Sequence, residues 1–156
     1  MASRYPAGRA SRRVFAYIIC INVYKARNCP TLNACVNDGK KLAAFLADKF
    51  PRQYLRIESL YNEMATYDRI LSLFERASSN TSIQQGDLVI FYFAGHGSRN
   101  TAPEGWPTED GWLEMICPYD VDTVKDGRNI YGIPDFVVGT LLRRLANKRE
   151  ANVVSS

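Results

Sequence analysis

Strands alternating with amphipathic helices predict an α/β fold for this chain, a three-layer αβα sandwich with a mainly parallel sheet. Two observations carry that prediction. The runs 14–22 and 88–94 are nearly continuous in β-branched and aromatic residues, the composition of strands covered on both faces. Between and after them, apolar residues recur at the three- and four-residue spacing of a helix lying on a sheet.

The first strand is expected over residues 14–22. From Asp38 the period changes: Leu42, Phe45, Leu46 and Phe50 form one apolar face, with Lys40, Lys41 and Lys49 elsewhere on the wheel, and Pro51 stops the helix. Residues 55–60 form a second strand. Thr66 is then placed to cap a helix whose inward face is Ile70, Leu73, Phe74 and Ala77, with Asp68 set favourably against the helix dipole. Gln85-Gly86-Asp87 is a turn into the strand 88–94, which ends at Gly95-His96-Gly97. Residues 100–111, with two prolines and two glycines, read as a loop, and 112–117 as a brief extended piece. Pro134 opens a last helix that carries Phe136, Val138, Leu141, Leu142 and Leu145 inward. Asn152-Val153-Val154 begins a fourth main strand, where the sandwich is cut off at Ser156.

The composition fits one domain. With 156 residues, 46% hydrophobic and 23% charged, such a chain removes roughly 68–70% of its unfolded surface from water without staples. Cys20, Cys29, Cys35 and Cys117 include no C-x-x-C pair, and a single histidine joins them, so a structural zinc site is not expected. No apolar run reaches the ~18–20 residues of a membrane span, and no secretory signal is visible, which points to a cytoplasmic protein with reduced thiols. Six of the 20 basic residues precede Asp38, the first acidic residue, leaving 14 basic residues against all 16 acidic ones. Residues 1–13 are read as a basic, flexible arm and 14–156 as the domain. The arm lacks aromatic interleaving and any recognisable module, so nucleic acid is not an expected partner.

In an open parallel sheet the binding site lies at the carboxyl ends of the strands, where Gly95-His96-Gly97 falls. His96 is the only side chain whose ordinary pKa lets it exchange protons near neutral pH. The flanking glycines are expected to allow a tight turn and a close approach of substrate to the imidazole. A phosphate loop is the competing reading of a strand followed by Gly-x-Gly. It lacks a third glycine, a Gly-Lys-Ser/Thr and an immediate helix.

Four separated stretches, Ala94-Gly95-His96-Gly97-Ser98, the run from Leu32 to Asp38, Glu109-Asp110-Gly111, and the run from Ile116 to Asp120, together resemble the caspase and metacaspase cysteine peptidases, especially the fungal caspase-like branch. The resemblance extends from about Val14 to Val154. It implies a cysteine-type endopeptidase acting on peptide or protein substrates, with His96 as the catalytic histidine and Gly97 offering its N–H to the oxyanion. The nucleophilic cysteine should follow the fourth strand. Since the sequence reaches Ser155-Ser156 instead, the chain as given is expected to be inactive.

The resemblance also implies that Asp38 binds substrate in a pocket for Arg or Lys, a charge-assisted contact, while capping of a helix dipole is the alternative for the same residue. Ala94 departs from the serine often found two positions before the histidine. Calcium is a further implied cofactor, through carboxylates among Glu109, Asp110, Glu114, Asp120 and Asp122, although no EF-hand spacing is present. A non-catalytic caspase homologue that pairs with an active relative, or acts as a decoy, is the alternative function.

Overall fold

A computed structural model describes residues 12–106, 108, 110–149 and 152–155. Its central sheet contains β1 (Val14–Cys20), β2 (Leu55–Tyr61), β3 (Leu88–Ala94) and β9 (Asn152–Ser155), in the order β2-β1-β3-β9 with every pairing parallel. Three helices cover it: α1 (Cys35–Lys49), α2 (Tyr67–Ser79) and α3 (Asp135–Arg149). Between β3 and α3 lie β4 (Gly97–Thr101), β5 (Trp112–Ile116), a short hairpin of β6 (Val124–Lys125) and β7 (Arg128–Asn129), and β8 (Ile133–Pro134). This is the expected α/β sandwich with a mainly parallel sheet.

The period of two in β1 sorts its side chains between the layers. Phe15, Tyr17, Ile19 and Ile21 join Val89 and Phe91 in one core with Ile70, Leu73, Phe74 and Ala77 of α2 and Leu145 of α3. Tyr17 and Phe74 both stack on Phe91, with ring centroids 4.9 and 5.0 Å away. Ile18 and Cys20 face the opposite layer, where α1 packs closely enough that a Cβ on Gly39 would lie 2.4 Å from Cys20 Sγ. All of β1 is therefore buried. In β3, Val89 and Phe91 are buried but Leu88, Ile90, Tyr92 and Phe93 are only half-buried, so this strand is not covered on both faces as β1 is.

Several expectations shift in detail. The first helix begins at Cys35 rather than Asp38. Its buried positions are Gly39 and Leu46, and Phe45 points outward, 56% exposed, with the Lys49 ammonium over its ring. A glycine contact thus replaces an aromatic one because the helix lies so close to β1. Thr66 stands at the N-cap of α2 without a side-chain bond. The carboxylate of buried Asp120 takes over, accepting from Tyr67 N at 2.8 Å. The region after His96 is more regular than a loop, since β4 pairs antiparallel with β5 and β5 with β8. Pro134 ends β8, and α3 starts one residue later. Phe136 is 36% exposed and meets Trp106 edge-on instead of turning inward.

At the amino end of the sheet, buried Asp87 ties β1 to β3. Its Oδ1 accepts from Arg13 N, while its Oδ2 accepts from the Arg13 guanidinium and from Gln84 N, all within 3.0 Å. The remainder of the expected arm, up to residue 11, lies outside the described residues.

Candidate active site

Parallel strands bring the ends of β1 and β3 side by side, with Cys20 opposite Ala94. Chain leaving β1 forms a loop over residues 22–34, and chain leaving β3 forms Gly95-His96-Gly97. The loop is fixed from below by two asparagines, one at the carboxyl end of β1 and one just past β2. Asn62, held at φ 45°, accepts from Asn22 N at 2.8 Å and from Val23 N at 3.4 Å. Asn22 in turn accepts from Val36 N at 3.1 Å, supplying the N-terminal cap that Ala34 lacks. Lys25 N–H donates to Tyr119 O at 2.9 Å and closes the loop against the segment after β5.

That loop grips His96 twice. Its backbone N–H donates to the Tyr24 hydroxyl at 2.7 Å, and its Nε2 lies 2.7 Å from Pro30 O. A carbonyl only accepts, so Nε2 carries the proton and Nδ1 is the ring nitrogen left with a lone pair in the neutral imidazole. The Tyr24 ring also packs against the imidazole, 5.1 Å between centroids. Burial raises the Tyr24 phenol well above its ordinary value, opposed by the hydrogen bond from His96.

Neither glycine beside His96 has positive φ, so neither serves the tight-turn conformation expected for them. Gly95 is required by space instead: a Cβ there would sit 2.8 Å from the Tyr24 hydroxyl and 3.0 Å from Phe93 Cζ. Gly97 opens β4 opposite Ile116, and Cys117 N–H donates to His96 O at 2.9 Å. That bond makes Gly97 and Ile116 a non-hydrogen-bonded pair, in which the Gly97 N–H points away from β5.

Asp38 lies in the first turn of α1 with its side chain 48% exposed and 3.7 Å from Lys41 Nζ. It is near enough to Cys20 and Tyr92 that its charge helps raise both. The carboxylate is therefore on the same edge of the sheet as His96, and its place in the first turn also satisfies the helix-dipole reading.

All four cysteines are free thiols. Cys20 is buried in β1, and desolvation, with the neighbouring Cys35 thiol second, pushes it up to about 12. Cys117 is buried too and raised by desolvation, against a side-chain bond from Ser98. Cys29 and Cys35 are half-buried, the second as the first residue of α1.

The acidic stretch does not converge. Asp110 pairs with Arg99, Asp120 caps α2, Asp122 sits in a turn at φ 57°, and Glu114 is exposed on β5. Among the described residues no group of three His, Cys, Asp or Glu is placed to hold a metal ion, and Glu109 lies outside them. Among the described residues these carboxylates do not fit a calcium site. A cleft of about 440 Å³ lies at the other end of the sheet, among Arg13, Phe15, Tyr54 and Arg56, and His96 is not part of its lining.

A family model described as "Caspase domain" matches residues 13–153. The chain belongs to the caspase domain family. It is 31% identical to Metacaspase-1 of Arabidopsis thaliana over 99 residues, covering 59% of this chain and 26% of that protein. It is 25% identical to Metacaspase-1 of the yeast Meyerozyma guilliermondii over 122 residues, covering 74% and 28%. In fold it resembles the crystal structure of protein GSU0716 from Geobacter sulfurreducens, with a TM-score of 0.68 at 20% identity over 92% of this chain and 50% of that one. This caspase-domain chain thus spans about a quarter of the curated relatives it matches and half of the solved structure.

Sequence reasoning singled out His96, Gly97 and Asp38 but not Tyr24 and Pro30, which touch His96, nor Asn22 and Asn62, which hold their loop. The available signal was an asparagine at or just past the end of each of two predicted strands, a residue type that readily bonds neighbouring backbone.

Proposed function

We propose that this domain is the histidine-bearing part of a caspase-like cysteine endopeptidase that cuts after Arg or Lys, and that the chain by itself does not turn over peptides. One observation carries the reading: His96 stands at the carboxyl edge of the sheet with Nε2 committed to Pro30 O, which leaves Nδ1 to exchange protons. As base, Nδ1 takes the proton of an attacking thiol; as acid, it returns that proton to the leaving amine. The outward Gly97 N–H is suited to the oxyanion. Asp38 supplies the carboxylate for a guanidinium or ammonium in the substrate.

The thiol is not one of the four present. Cys20 and Cys117 are buried and raised, which disfavours the thiolate that attacks. Among the described residues the imidazole ring bonds Pro30 O and packs on Tyr24, and neither Cys29 nor Cys35 is bonded to it. Ser155 is opposite Phe91, five residues before His96. At about 3.3 Å per residue it falls some 16 Å short along the strand. The free thiols and the lack, among the described residues, of any helix able to cross a membrane suit a cytoplasmic setting.

The test is hydrolysis of Arg- and Lys-terminated fluorogenic peptides by the 156-residue chain and by the complete reading frame that encodes it. No turnover is expected from the chain. If the complete frame cleaves, His96→Ala should cost about 10²–10⁴-fold, and Asp38→Ala should lower kcat/KM for basic peptides with little change in thermal stability. Undiminished cleavage by His96→Ala overturns the assignment.

A second reading rests on β9, which among the described residues lies at an edge of the sheet with Val154 53% exposed, a position suited to strand addition by another chain. Pairing with an active caspase-like protein predicts a stoichiometric complex with a purified metacaspase in sedimentation and altered activity of that enzyme. Two independently sedimenting species would dismiss it.

A further inference from the structure

We propose that Tyr24 is a positioning residue for His96: its hydroxyl and ring hold the histidine so that Nε2 stays on Pro30 O and Nδ1 stays open. The proposal takes its purpose from the peptidase reading, but its geometry stands apart from any cleavage.

Tyr24 meets His96 at two points. The hydroxyl accepts the His96 backbone N–H at 2.7 Å, and the ring lies against the imidazole at an interplanar angle of 41°. The first contact fixes where the Cα of His96 stands, and the second limits the rotation of its side chain. The carbonyl of Pro30, six residues further along the same loop, then takes the Nε2 proton. Main chain and ring are thus held by one rigid segment, which Asn62 and the Lys25–Tyr119 bond anchor to the sheet.

The fit leaves no slack. Gly95 admits the phenol only because it lacks a Cβ, which would stand 2.8 Å from the hydroxyl oxygen. The N–H that Tyr24 accepts lies in a half-buried turn, where loss of its partner leaves a polar group unsatisfied. A tyrosine kept only for packing would require neither the short bond nor a glycine facing its oxygen.

The chain contains a single histidine, so ring 15N–1H correlations of the full 156-residue chain report the tautomer of His96 without ambiguity. The neutral ring is expected to be Nε2–H. Tyr24→Phe removes only the hydroxyl; it should shift the Nε2–H to Nδ1–H ratio and speed exchange of the His96 amide by about tenfold each, the weight of one hydrogen bond. Circular dichroism should be unchanged. If Tyr24→Phe fails to fold, Gly95→Ala gives the same reading, since it displaces the phenol while keeping it. A wild-type tautomer ratio and amide exchange in whichever variant folds would overturn the proposal. A chain that cleaves no peptide can still pass this test, and one that cleaves can fail it, so the two readings fall separately.

Discussion

At the scale of single residues, the four thiols differ by environment rather than by chemistry. Cys20 sits inside a fully buried strand with its sulfur against Gly39, so its thiolate has neither water nor a cation to stabilise it. Cys117 is buried and raised as well, and Cys29 is raised by milder desolvation. Cys35, at the first position of α1, is half-buried. Alkylation of the native protein with iodoacetamide at pH 8, followed by peptide mass mapping, should therefore modify the half-buried Cys29 and Cys35 first, and the buried Cys117 and Cys20 only after unfolding. Early labelling of Cys20 would show that β1 is not a buried central strand.

At the scale of elements, α1 packs closely against β1 at Gly39. Alanine is normally favoured over glycine inside a helix by about 1 kcal/mol. At position 39 the added Cβ meets Cys20 Sγ at 2.4 Å, Ile18 Cγ2 at 3.1 Å and the Tyr61 ring at 3.3 Å, so the sign reverses. Gly39→Ala should destabilise the protein by roughly 1–3 kcal/mol, the usual cost of overpacking. Because the nearest obstacle is one sulfur, Cys20→Ala combined with Gly39→Ala should recover part of that loss in urea unfolding; strict additivity would place the strain elsewhere. This contact also marks what the sequence could show. The apolar runs of β1 and β3 and the face of α2 are legible because burial imposes their period. Phe45 was misplaced because periodicity cannot reveal how near a helix lies to its sheet. The β4 strand went unread because Gly97-Ser98-Arg99-Asn100-Thr101 is polar and mostly exposed, with no apolar alternation to betray pairing with β5. His96 and Asp38 were visible as chemistry at a strand end and a helix start. Tyr24 and Pro30 were not, since they reach His96 across 72 and 66 residues.

At the scale of the whole molecule, the ionisable groups packed into the core set its response to alkali. Cys20 is held near 12, and Cys117, Tyr17 and Tyr24 are raised in the same direction, each mainly by desolvation. All four are neutral in the folded protein and lose their protons more readily when unfolded. Stability that depends on them is fully present below the ordinary thiol and phenol range, about 8.5–10, and is lost as pH rises through it toward the folded values. In that window the unfolded chain binds fewer protons than the native one, so the unfolding free energy must fall with increasing pH. The urea midpoint should hold steady from pH 7 to 8 and decline progressively from pH 9 to 11. Ultraviolet titration should show the ionisation of Tyr17, Tyr24 and Tyr92 displaced upward from the ordinary phenol range. Substituting Tyr17 or Tyr24 by Phe should flatten the decline even where it lowers stability at pH 7, because it removes the proton whose release drives unfolding. A midpoint independent of pH up to 11 would mean that these groups are hydrated in solution, and the tight junction of β1, β3 and the His96 loop would have to be looser than the structure shows.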